Sequence, residues 1–193
     1  MSIDLVTQLL CAALLGLAVV LSWIFAGAAR PYARRNLRFA ALLYAGLAVA
    51  DILSSLSHST DLMLAVGLLV STLAPPLLTI AAIGTVSRPP VPIWAALALG
   101  VSALAAIAVA LTGLAVLALI PQIVALCILF TVSLRAPRGI ALRLCLSVLA
   151  LGAGALTIVA NTTQAGAVLS LFSAAGLFGV TRALAAPLNA AVE

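Results

Sequence analysis

The chain alternates between long apolar runs and short breaks marked by Pro, Gly, polar or charged residues. A helix rises about 1.5 Å per residue, so about 20 apolar residues cross the roughly 30 Å hydrocarbon core of a bilayer. Seven runs reach that length: residues 3–29, 37–56, 62–86, 91–111, 114–134, 140–160 and 165–184. The breaks between them have physical causes, because Pro, Gly and charge end helices. They are Arg30-Pro31, residues 57–61, Arg88-Pro89-Pro90, Thr112-Gly113, residues 135–138 and residues 161–163. The Thr112-Gly113 break has the least support of its own. Yet residues 91–134 are too long for one crossing, and two crossings joined there put Arg88 and Arg135 on the same side.

The pattern predicts an all-α fold, a single polytopic transmembrane helix bundle of about seven helices over residues 1–193. Orientation follows from charge. With the N-terminus outside and each span alternating, every Arg falls in a cytoplasmic loop or at the span end beside the cytoplasm, and Asp4, His58, Asp61 and Asn161 fall toward the outside. That matches the excess of positive charge on the inner side of membrane proteins and puts the C-terminus in the cytoplasm. Ala26-Gly27-Ala28 resembles a signal-peptide cleavage site. However, Asp4 precedes the apolar run and Arg30 follows it, which reads as an uncleaved first span.

Composition agrees. Hydrophobic residues make up 66% of the chain and charged residues 7%, where soluble domains carry about a quarter. Lipid is the natural solvent for such a chain. The net charge of +5 is accounted for by topology, so no nucleic-acid partner is inferred. All the cations are Arg, in a chain rich in Ala, Leu, Gly and Val. This composition suggests a GC-rich bacterial source and hence the inner membrane.

Asp51 is the most informative residue. It is the one acidic side chain well inside a predicted span. An ionisable group there is costly, faces the bundle interior or water, and defaults to a functional hypothesis. It lies about six residues, or roughly 9 Å, from the outer end of the second helix. His58 follows two turns later, where an imidazole beside carboxylates would relay protons. Gln122 reaches a similar depth in the fifth span, and its amide is a candidate partner for Asp51. Asp51, His58 and Gln122 therefore form a candidate polar or ion site, against the structural alternative of ordinary interhelical bonding.

Pro75-Pro76 falls near the middle of the third span and is a candidate helix break, one that would free carbonyls around Ser71 and Thr72. Arg30, Arg34, Arg35 and Arg38 form a cytoplasmic cluster suited to lipid headgroups, each charge contributing about 1 kcal/mol near an anionic surface. The alternative is that they set topology alone. The first and fifth spans each end in a loop rich in Pro and Arg, and each leads into a two-helix return. This suggests a three-plus-one-plus-three arrangement of the kind found in repeat-built transporters.

Other chemistry is excluded or unsupported. Cys11, Cys127 and Cys145 lie far apart inside apolar runs and read as small buried hydrophobes. With one His they supply no metal-ligand spacing, so neither a metal nor a cofactor is expected. Without Lys there is no Schiff-base retinal, and one His cannot ligate haem twice. No residue is assigned a catalytic role. The leading expectation is a non-catalytic subunit or accessory component of a membrane complex. The alternatives are a small transporter or channel around Asp51 and an intramembrane lipid-modifying enzyme. The expected partners are the lipid bilayer together with other membrane subunits or further copies of the chain.

Overall fold

The computed structural model describes residues 3–57, 61–86, 100–102, 104–105, 107–108, 111–112, 119–136, 138–160 and 165–185. Among the described residues the fold is all-helical, with seven helices and no strand. They are α1 (Ile3–Ala26), α2 (Pro31–Ser57), α3 (Asp61–Val86), α4 (the helical residues 100–102, 104–105, 107–108 and 111–112), α5 (Leu119–Leu134), α6 (Arg138–Ala160) and α7 (Ala165–Ala185). Among the described residues four segments are long and apolar enough to cross a membrane: Leu5–Ala26, Pro31–Leu56, Ala65–Thr85 and Ala167–Ala185. The apolar runs read from the sequence are helical where they are described. Gly113 and the polar residues 58–60 lie outside the described residues.

Local chemistry sets the first turn. Successive amides of Gly27, Ala28 and Ala29 donate to the carbonyls of Ile24, Phe25 and Ala26, which tightens the end of α1. Pro31 then opens α2, where its missing amide proton costs nothing. The first bond of α2 runs from the Arg34 amide to the Arg30 carbonyl at 2.8 Å.

α3 contradicts one expectation. It continues as a helix through Pro75 and Pro76 rather than breaking there. The prolines remove two amide donors, but both are buried, and the turn that follows them is tied down. The Thr79 hydroxyl lies 2.9 Å from the Pro75 carbonyl and 3.0 Å from the Ala125 carbonyl of α5. Packing and this shared bond hold the helix through the prolines.

The helix contacts have a two-fold pattern. α1 packs on α2 and α2 on α3; likewise α5 packs on α6 and α6 on α7. Contacts between the two triplets match in the same way: α1 with α7 answers α5 with α3, and α2 with α7 answers α6 with α3. α3 and α7 meet each other at the centre. Every contact among these six helices therefore has a counterpart when α1, α2 and α3 are exchanged with α5, α6 and α7.

Glycines permit the closest of these approaches. A Cβ on Gly176 would fall 2.5 Å from Leu151 Cγ, and one on Gly179 would overlap the Ser147 hydroxyl. Gly16, by contrast, has nothing within 4 Å of an added Cβ, so no helix approaches closely there, although Ala12 one turn earlier is buried. Leu15, Leu37, Leu78, Leu129, Leu144 and Leu177 are fully buried in the core. Leu10, Leu14, Leu17 and Ile24 form an exposed apolar stripe along α1. Such a stripe is unfavourable against water and natural against lipid.

The contacts also fix which ends lie together. Phe25 of α1 stacks edge-on against Phe178 of α7 at 5.9 Å, and Arg182 lies 5.9 Å over the same Phe25 ring. Tyr32 at the start of α2 touches Gly84 near the end of α3. The Ser147–Gly179 contact brings in the first half of α6. The 3.0 Å contact between Ser133 and Cys145 adds the end of α5. Every described arginine therefore lies toward one end of the bundle.

Candidate functional site

Asp51 lies in the opposite half. Its side chain is 1% exposed. Ser170 of α7 donates its hydroxyl to Asp51 Oδ2 at 2.6 Å, joining α2 to α7 across 119 residues of sequence. Ser55, one turn on, donates to the Asp51 backbone carbonyl at 2.7 Å. Ser54 lies on the same side of α2, and its Oγ is buried without a hydrogen-bond partner. A carboxyl, one donating hydroxyl and one unpartnered hydroxyl thus gather where the first triplet of helices meets the second.

The other candidates are not brought to this point. Among the described residues α2 and α5 do not touch, since α3 and α7 lie between them. The Asp51–Gln122 hydrogen bond is therefore not formed. Gln122 is buried in α5, and its Oε1 has no partner. His58 lies outside the described residues. Pro76 lines a separate apolar cavity of about 600 Å³ between α3 and α5, together with Thr79, Val101, Pro121, Ala125 and Arg135.

The arginine cluster has a geometry of its own. Arg34, Arg35 and Arg38 line a cavity of about 290 Å³ together with Trp23, Phe39 and Leu42. The Arg38 guanidinium lies 5.0 Å over the Trp23 ring. Arg34 Nη2 donates to the Ala29 carbonyl at 3.3 Å. Arg30 is exposed and lies outside this cavity.

Ser170 and Trp23 are the residues that sequence reasoning missed. A serine in a chain this rich in small residues carries no distinguishing signal. Trp23 carried a weak one, since aromatic rings gather at membrane interfaces and near cations.

Most other buried hydroxyls bond within their own helix. Thr85 donates to Ala81, Ser147 to Arg143 and Thr181 to Leu177, each to a carbonyl one turn back. These bonds satisfy polar groups in a low-dielectric interior without building a site.

Comparison with known proteins finds no matching family model, no similar curated protein and no similar solved structure.

Proposed function

We propose that this integral membrane protein is a small transporter in which Asp51 binds the coupling proton or a monovalent cation. The observation that carries the reading is the Asp51–Ser170 pair at the contact between the two helix triplets. A carboxyl inside a membrane bundle costs a few kcal/mol on insertion scales, and such groups concentrate on ion and proton paths. Transporters built from repeats hold substrate and ions where the repeats meet. The unpartnered Ser54 hydroxyl supplies a further oxygen for a small cation. In the same reading the arginine-rich end faces the cytoplasm and the N-terminus lies outside, in a bacterial inner membrane.

The test is charge displacement in proteoliposomes on a solid support after a jump in proton or sodium concentration. The wild type gives a transient that Asp51→Asn abolishes. Identical traces from the two proteins contradict the reading.

A second reading, a non-catalytic subunit of a membrane complex, is favoured by the hydroxyls that bond to their own helices. These bonds leave few buried hydroxyls free to bind a ligand. This reading expects other membrane subunits, or a second copy, over the exposed apolar faces. Extraction from the native membrane in mild detergent, followed by intact mass measurement, separates the two. A stoichiometric foreign chain favours the subunit reading, and a monomer opposes it. The lipid-modifying reading gains no support, because the arginine-rich end holds no described carboxylate or histidine to serve as acid or base.

A further inference from the structure

The cavity beside the start of α2 concentrates positive charge, and no carboxylate stands among its described lining residues. Arg34, Arg35 and Arg38 line it, and the amino end of α2 adds the positive end of a helix dipole. Asp51 is the one acidic residue whose surroundings are described, and it lies in the other half of the bundle. Two of the guanidiniums are held in place, Arg34 by the Ala29 carbonyl and Arg38 by the Trp23 ring. Guanidinium groups fixed around a cavity of about 290 Å³ are complementary to the oxygens of a phosphate.

The walls indicate where that phosphate comes from. Phe39 and Leu42 are 53% and 54% exposed and continue from the charged cavity along the outer face of α2. Apolar surface lying directly beside the arginines suits an acyl chain, and a free ion would have no use for it. The geometry points to a specific site for the phosphodiester headgroup of an anionic lipid, with its acyl chain against Phe39 and Leu42. The site is independent of whether the chain transports anything.

The test uses the full chain with Trp94→Phe, which leaves Trp23 as the single tryptophan. The protein is held in zwitterionic micelles and titrated with phosphatidylglycerol or phosphatidylcholine carrying brominated acyl chains, which quench a tryptophan they touch. Phosphatidylglycerol quenches Trp23 at concentrations about tenfold or more below phosphatidylcholine, and inorganic phosphate does not displace it. Arg34→Gln and Arg35→Gln each weaken the phosphatidylglycerol response about fivefold, the equivalent of one surface charge. Arg138→Gln removes the same charge at the same end but outside the cavity, and leaves the response unchanged. Equal quenching by the two lipids overturns the proposal, and that comparison needs no arginine variant to fold. An Arg138→Gln loss as large as that of Arg34→Gln overturns it in favour of diffuse charge attraction. Displacement by inorganic phosphate overturns the lipid in favour of a free ion.

Discussion

Ser170 donates its hydroxyl to Asp51 Oδ2 at 2.6 Å, and this bond fastens α7 to α2 in the half of the bundle away from the arginines. Interhelical hydrogen bonds in membrane proteins contribute about 1 kcal/mol. Ser170→Ala is therefore expected to lower stability in detergent by about 1 kcal/mol. In a background carrying Asp51→Leu the same substitution has little further effect, because the bond is already gone. Unfolding measured across this double-mutant cycle checks the pair, and a coupling near zero would show that it does not form.

The α6–α7 contact depends on missing side chains. Gly176→Val and Gly179→Val push carbon into Leu151 and Ser147 and should each destabilise by about 1–3 kcal/mol, the cost of overpacking. Gly46 in α2 has nothing within 4 Å of its missing Cβ. Gly46→Ala should leave stability unchanged or raise it by up to about 1 kcal/mol through helix propensity. Thermal unfolding of the three variants gives the comparison. Equal losses at all three glycines would contradict the close approach.

Gln122 is buried with an unpartnered Oε1. Replacing it by Met conserves most of the volume and removes the unsatisfied group, so Gln122→Met should be neutral or stabilising. A loss of stability above about 1 kcal/mol in the same unfolding assay would mean that the amide has a partner.

Thr79 links the proline turn of α3 to α5 through the carbonyls of Pro75 and Ala125. Thr79→Val removes that link and should cost about 1 kcal/mol. The loss should be accompanied by faster hydrogen exchange at the amides of α3 that follow the prolines, read by mass spectrometry. Unchanged exchange there would show that packing alone holds the helix.

The helices were legible in the sequence because lipid leaves a chain few choices. A run of 20 apolar residues bounded by Arg, Pro or Gly forms a helix whatever its neighbours do. The charged end was legible too, since the arginines already sort to alternate breaks. The neighbours themselves were not legible. Depth alone suggested Gln122 as the partner of Asp51, but depth says nothing about rotation around the bundle, and α3 and α7 stand between the two helices. Ser170 was hidden among many small polar residues. Pro75 and Pro76 suggested a break because local rules count lost donors and cannot see the Thr79 bond or the packing that compensates. The two-fold arrangement of contacts was only hinted at by the matching loops after the first and fifth spans.

For Asp51 to exchange a proton or cation, the junction of the two triplets must open to water during the transport cycle. Substituted-cysteine labelling in native membranes tests that opening most directly, with Cys11, Cys127 and Cys145 first replaced by Ala. Ser170→Cys and Ser54→Cys report on the junction, and Ala41→Cys, fully buried in α2, is the reference for a closed core. A small charged thiol reagent should modify the two junction cysteines and leave the reference untouched. Junction cysteines as unreactive as Ala41→Cys would contradict the opening and leave Asp51 as a packing element of the bundle.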